Sequence, residues 1–468
     1  MLLDGRIVFI VGGLHPPWNG LVTEENYPGN KDPNRGNRCN AQPLIGIQCT
    51  AVKRTDSEEP INMNRTKYVI IGGGMVAGYA AKELVERGLK PGELTIVSSD
   101  SALPYERPPL SKGFLAGKDS LDGILINPAE WYREHGIDVK LRTVVAKVDA
   151  SSKSLQTSSG EQLGFENLLI ATGAQPRKLD CPGKDLEGIY YLRSMSDSES
   201  IRAKASIAKS AVVIGGGFIG MEVASVLAQK NVETTLVIRE DRVWSRVFSP
   251  EISAFFDKYY SSRGVHVVKN TGVDALNGTG SVHSAKLSNG QEVGCDLVVA
   301  GIGVTPTIGS FGHNLRVENG FVVNEFLETG AAGIYAAGDV ANYPDRIFGK
   351  RRRVEHWDNA VSQGQHWSRV VTGDRQPFVH VPYFFSDVFD LSYELWGDSD
   401  GAEEVVIRGD AHTSSFSAWW LKDSRVVAAF VMNRPDEERN VAPEWIRTGH
   451  EVSATNLADA KQPLSQAA

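Results

Sequence analysis

Cysteine is scarce, with four in 468 residues at Cys39, Cys49, Cys181 and Cys295. They form no C-x-x-C pair and no metal-ligand spacing, so a disulfide scaffold and a metal site are not expected and a reducing compartment is. Long apolar runs are missing too. Nothing approaches the roughly 18 residues that span a bilayer, and Ile7 to Val11 falls short of the roughly 7–15 of a signal-peptide core. The chain is therefore expected to be cytoplasmic and free of membrane. Positive charge is also in deficit: 49 Lys and Arg stand against 57 Asp and Glu, a net −8. Nothing in that balance would draw the chain to phosphate backbones, and no nucleic-acid partner is expected.

What is plentiful is apolar residue, 41% of the chain, enough at this length for two or three domains. Residues 1–62 stand apart: after Leu14 they run through Pro, Gly, Asn, Lys and Asp without either period, and a poorly ordered N-terminal extension is expected. A start at Met63 would account for it, and so would a tail or transit sequence. From Lys67 the pattern becomes strand, glycine turn, Ala-rich helix and strand, with Gly72, Gly74 and Ala77 at the G-x-G-x-x-G/A positions. Such glycines let the backbone turn tightly and approach a pyrophosphate at a helix N-terminus. Asp100, near the end of the second strand, could accept hydrogen bonds from a ribose.

The unit returns with Gly215, Gly217 and Gly220, and Glu222 lies one turn into its helix. Two such units point to two dinucleotides. Where an acid usually reads the second ribose stand Ile238, Arg239 and Glu240, so 2′-hydroxyl and 2′-phosphate recognition both stay open. After about Pro377 the segments become short, alternating and aromatic-rich, as in Phe416 to Leu421, which predicts a mainly antiparallel domain. The fold class expected is α/β: two Rossmann-like units followed by a C-terminal α+β domain. The stretch 453–468 is expected to be a flexible tail.

The stretches IIGGGMVAGYAA (70–81), PYERPPLSK (104–112), ATG (171–173), VIGGGFIGME (213–222) and GIYAAGDVA (333–341) give the chain a specific likeness. It resembles the FAD-dependent pyridine nucleotide-disulfide oxidoreductase superfamily, in the branch of monodehydroascorbate reductases, bacterial ferredoxin reductases and apoptosis-inducing factor. The resemblance implies FAD and NAD(P)H as cofactors. It implies an FAD-binding domain of residues 63–182 and 300–376, an NAD(P)-binding domain of 183–299 and a C-terminal interface domain of 377–452. FAD would lie across the first unit, with Asp100 at its ribose, Arg107 and Lys112 near phosphates and flavin, Ala171, Thr172, Gly173, Gly303 and Gly338 along the cofactor, and Asp339 on the ribityl chain. Glu355 and His356 match a Glu-His pair beside the nicotinamide; Trp357 would sit against the flavin edge, and Phe385 takes the place of a stacking aromatic. Lys112, Glu355, His356 and Phe385 are the expected catalytic group.

The relatives that reduce disulfides keep a cysteine pair beside the flavin, and this chain has none, so the electrons are expected to leave the flavin directly. For the acceptor, monodehydroascorbate reductase is one reading. Val361, however, stands where the resemblance implies an ascorbate-contacting Arg. The segment VIRGD (406–410), with Phe416, Ser417 and Leu421, matches the ferredoxin reductases at least as well, so a small iron–sulfur carrier is the acceptor expected, ahead of a small molecule. An NADH-gated binding protein like apoptosis-inducing factor is a third reading, and a monomer or homodimer is expected. The basic run Lys350, Arg351, Arg352 and Arg353 reads either as a docking patch for an acidic carrier or as a solvated loop.

Overall fold

The computed structural model describes residues 64–467, apart from 246 and 310–314. The expectation for 1–62, with Cys39 and Cys49, lies outside the described residues.

Tyr68, Val69, Ile70 and Ile71 are all buried, as an apolar run covered on both faces requires. They end the strand Asn64–Ile71, which pairs in parallel with Leu94–Val97 and Gln162–Ile170 at the centre of a seven-stranded sheet. An antiparallel hairpin, Val145–Asp149 with Ser154–Thr157, extends one side. Much later in the chain, Ile334–Ala336 returns to pair in parallel with Gln162–Ile170. The helix Met75–Glu86 packs on the helix Trp357–Val371, where Ser368 Oγ donates to the Ala80 carbonyl at 2.9 Å.

The second unit is a five-stranded parallel sheet ordered Val265–Val268, Glu233–Val237, Ser210–Ile214, Leu297–Ala300, Ile189–Tyr190, with the helix Phe218–Gln229 after its own glycine turn. The two turns are built alike. Gly72 has φ +115° and Gly215 φ +112°, and a Cβ would lie 2.2 Å from the Ala171 carbonyl oxygen in the first and 2.3 Å from that of Gly301 in the second. Only glycine meets both demands.

The third sheet is antiparallel throughout, ordered Tyr383–Val388, Leu391–Gly397, Arg425–Met432, Ser415–Lys422, Glu404–Asp410. The alternation along Ser415–Lys422 sorts its side chains between two cores. Phe416, Ala418 and Trp420 join Phe248, Phe256 and Tyr260 of the second unit, whereas Trp419 and Leu421 face Trp445 and Ile446 of the helix Asp436–Thr448. The predicted class, two Rossmann-like units and an antiparallel C-terminal domain, is the fold observed.

One expectation is corrected. The stretch 453–468 is not a loose tail over its described part: it forms the helix Ala454–Ala458 and the 3-10 turn Leu464–Gln466, burying Leu457, Leu464 and Ala467. Its carbonyls explain why it stays. Arg408, 4% exposed, donates Nε to Glu438 at 3.0 Å and spreads its fork over the carbonyl oxygens of Leu457 (3.1 Å), Asp459 (2.6 Å) and Gln462 (2.5 Å). Composition made the segment look mobile; a buried guanidinium about 50 residues away satisfies its backbone.

Arg408→Met should strip the buried Glu438 of one partner and lower stability by about 3 kcal/mol. Trypsin should then cut after Lys461 in the folded protein faster than in wild type, and an unchanged cleavage rate would show that the segment holds without Arg408.

Candidate active site

A cavity of about 820 Å³ opens at the carboxyl ends of the first sheet's strands, where the glycine turn Gly72–Gly74 starts the helix Met75–Glu86. Open α/β sheets bind ligands at this edge. Most residues singled out in the sequence line it: Asp100, Arg107, Lys112, Ala171, Thr172, Gly173, Glu222, Asp339, Glu355, His356, Trp357 and Phe385.

At the glycine-turn end the side chains call for an anion. The Arg107 guanidinium is the nearest group to a Cβ placed at Gly74, at 3.5 Å, and it donates to the Arg193 carbonyl. It forms no ion pair among the described residues, and burial, with the neighbouring Arg193 charge second, lowers its pKa. Arg193 pairs with Asp339 at 3.0 Å. Two adjacent guanidiniums at a helix N-terminus, one without a carboxylate, fit a pyrophosphate. Asp100 is held from two sides: Oδ1 accepts the Ser101 and Ala102 amides, and Oδ2 accepts the Tyr105 hydroxyl at 2.9 Å. Thr172 Oγ1 donates to the Thr307 carbonyl at 2.6 Å, which closes the wall beside Gly173. The two guanidiniums, the helix N-terminus and the carboxylates of Asp100 and Asp339 thus fit the phosphates and hydroxyls of FAD.

At the far end charge is balanced and the walls are aromatic. Lys112 Nζ lies 2.7 Å from Glu222 Oε1 and 5.1 Å from the centre of the Phe385 ring. Glu222, 3% exposed, also accepts Ser386 Oγ at 2.6 Å and the Ser111 hydroxyl. From the helix of the second unit it turns inward to the cavity wall, as the partner of Lys112. Trp357 meets Phe385 edge-on, with centroids 5.9 Å apart, and its Nε1 donates to Glu106 Oε2 at 2.6 Å. His356 lies 4.5 Å from the Phe384 ring. Phe218 and Ile219, the first residues of the second unit's helix, complete this end.

Other expected residues lie outside the cavity wall. Ala77 is buried in the core of the first helix. Gly338 has its amide on Gln363 Oε1 at 2.7 Å and shapes the turn that presents Asp339. Gly303 lies against the Arg177 side chain. Gly215, Gly217 and Gly220 form the second glycine turn, and half-buried Glu240 follows the strand beside it, its carbonyl accepting the Asn270 amide at 3.0 Å. Sequence reasoning missed Arg193, Thr307 and Glu106. Glu106 sits inside the quoted PYERPPLSK, but Arg193 and Thr307 carry no local signal.

The basic run lies on the strand Lys350–Arg352 and the residue after it, and most of its charges are paired. Lys350 pairs with Asp398 at 2.6 Å and Asp400 at 3.0 Å, and Arg352 pairs with Asp345 at 3.1 Å and with Asp398. Arg351 donates to the carbonyls of Val323 and Asn342, and Arg353 pairs with Glu355 at 2.6 Å. Acids thus pair Lys350, Arg352 and Arg353, while Arg351 is exposed and bonded only to backbone carbonyls. Cys181 and Cys295 are free, Cys295 buried with its thiol pushed up to about 12 by burial, and neither of these described cysteines lines the cavity.

Burial, and then the Lys112 charge, pull the His356 imidazole down to about 3. The folded protein keeps this ring neutral while an unfolded chain protonates it below about pH 6.5. Stability should therefore fall as pH drops from about 6.5 towards 3. His356→Asn should flatten that dependence by up to about 1.4 kcal/mol per pH unit; urea unfolding near pH 4.5 and 6.5 measures it, and equal slopes in both proteins would contradict the assignment.

Known proteins agree with this geometry. Residues 66–364 match the family described as pyridine nucleotide-disulphide oxidoreductase, and residues 383–468 match the reductase C-terminal family. The monodehydroascorbate reductase of Solanum lycopersicum is 37% identical over 405 residues, 80% of this chain and 93% of that protein. Monodehydroascorbate reductase 2 of Arabidopsis thaliana is 35% identical over 85% of this chain and 97% of its own length. Among solved structures, a covalent putidaredoxin reductase–putidaredoxin complex aligns with TM-score 0.82 at 30% identity, covering 86% of this chain and 98% of that one. The ferredoxin reductase of the CYP199A2 system from Rhodopseudomonas palustris aligns with TM-score 0.82 at 31% identity over 86% of this chain and all of its own. The chain belongs to the pyridine nucleotide-disulphide oxidoreductase family, as an FAD-dependent NAD(P)H oxidoreductase that passes electrons to a separate acceptor.

Proposed function

We propose that the acceptor is a small iron–sulfur carrier protein and not an anionic small molecule. The balance of charge at the aromatic end of the cavity carries this choice. Lys112 is taken by Glu222 at 2.7 Å, His356 is held neutral, and Val361 packs against the apolar core of the first unit. An anionic radical would find no unpaired cation among these residues and would lose a charge-assisted contact worth roughly 1.5–3 kcal/mol. The likeness to the reductase solved with putidaredoxin and to a ferredoxin reductase supports the same reading. Sparse cysteine supports a cytoplasmic location as part of it.

The chemistry that bound FAD would supply is hydride acceptance from reduced nicotinamide and electron donation to the acceptor. The residues' part is to bind and orient. Arg107 and Arg193, with the helix N-terminus at Gly74, would hold the pyrophosphate; Asp100 would take the adenosine ribose and Asp339 the ribityl hydroxyls. Glu355 and His356 would flank the nicotinamide, whose reacting carbon must come within about 3–3.5 Å of its target. A neutral imidazole there neither repels the oxidised ring nor supplies a stray proton. Trp357 and Phe385 keep water from the reacting faces.

The similar curated proteins of 34–37% identity that bear the name monodehydroascorbate reductase favour that acceptor as a second reading. Anaerobic reduction by NADH or NADPH, followed by rapid mixing with a two-iron ferredoxin or with monodehydroascorbate, separates the two. Reoxidation by ferredoxin should be at least about tenfold faster. The reverse order would transfer the proposal to monodehydroascorbate, and slow reoxidation by both would point to an NADH-gated binding protein.

A further inference from the structure

Behind the cavity wall lies a charged side chain that the site description has not used. Arg353 does not line the cavity, yet it is 8% exposed and its Nη1 is aimed at two residues that do, Glu355 and Asp339. Nη1 pairs with Glu355 Oε1 at 2.6 Å and donates to the Asp339 carbonyl at 3.0 Å. Nε donates to Asn319 Oδ1 at 3.3 Å. The turn that supplies Asn319 leaves room for this stem: Asn319 has φ +49° and Gly320 φ +121°, and a Cβ on Gly320 would lie 2.6 Å from the Val340 carbonyl oxygen and 3.0 Å from Arg353 Cδ. A left-handed Asn-Gly pair is the turn chemistry that leaves such room.

We propose that Arg353 is a positioning residue that braces both flanks of the cavity, setting the Glu355 carboxylate on the nicotinamide side while fixing the turn that presents Asp339. This rests on the reading of Glu355 as a nicotinamide neighbour. Asp339 is held twice, its carboxylate by Arg193 at 3.0 Å and its carbonyl by Arg353. Glu355 has one brace among the described residues and is 38% exposed, so without Arg353 its side chain would regain its rotamers and turn to solvent. A guanidinium presents several donors in one rigid plane and can serve two acceptors together; an ammonium on a flexible stem cannot hold the same fork.

The test is equilibrium binding of NAD+ to the FAD-loaded protein, followed by quenching of tryptophan fluorescence, with FAD content and Tm recorded for each variant. Glu355→Ala should weaken NAD+ binding about tenfold, the loss of one charge-assisted contact. Arg353→Met should weaken it to the same extent and add nothing in the Glu355→Ala background, because it acts through that carboxylate. Arg353→Lys should weaken it about threefold and also decides the matter if Arg353→Met does not fold. If Glu355→Ala has no effect, the reading of Glu355 fails. If Glu355→Ala weakens binding and neither Arg353 variant does, or the Arg353→Met and Glu355→Ala effects add, the positioning role of Arg353 is overturned while the reading of Glu355 stands.

Discussion

Three parts of this chain meet on one carboxylate. Glu222 rises from the helix of the second unit into a place 3% exposed, where Lys112 reaches it from the loop of the first unit and Ser386 from the first strand of the C-terminal sheet. A buried charge of this kind is tolerated only when it is paired and its remaining lone pairs are filled, and Ser111 and Ser386 fill them. The cost of breaking the arrangement is therefore high, and it falls on all three parts together. Nearby contacts follow the same seam: the Phe389 amide donates to Ser225 Oγ at 2.8 Å, and Lys230 Nζ reaches the Ala116 carbonyl at 3.0 Å. The helix that would meet the nicotinamide nucleotide is thus clamped between the FAD loop and the C-terminal hairpin.

The pairing also divides the cavity electrically. At the glycine turn Arg107 keeps an unspent positive charge, which suits a ligand carrying two phosphates. At the other end Lys112 is neutralised and His356 uncharged. A flavin ring needs apolar walls and exclusion of water more than it needs charge, and Trp357 and Phe385, which line this end, would supply those. Glu106 serves the same end from outside the wall, accepting Trp357 Nε1 and the Tyr79 hydroxyl at 2.6 Å each. Tyr79 belongs to the helix that starts at the phosphate end, so the orientation of the indole is referred to the same rigid element as the pyrophosphate site.

Some of this was legible from residues alone, for a local reason. Gly72 and Gly215 must adopt φ near +115° with no room for a Cβ, a demand that the residue type itself reveals. The buried strands read as apolar runs, and the alternation of Phe416 to Leu421 read as an antiparallel strand with two faces. The scarcity of cysteine is likewise a property of the residues alone.

Partnership across the chain was not legible. Lys112 and Glu222 are each visible in motifs, but nothing in either motif says that they touch. The run Lys350 to Arg353 reads as exposed charge because linear sequence does not show Asp345, Asp398, Asp400 and Glu355 folding onto it. The same blindness made residues 453–468 look loose until Arg408 was seen on their carbonyls. Backbone conformation and hydrophobic period are properties of neighbouring residues, so the order of residues determines them directly. Which charges end up paired depends on which segments the packed sheets and helices bring within a few ångströms, and only the tertiary structure decides that.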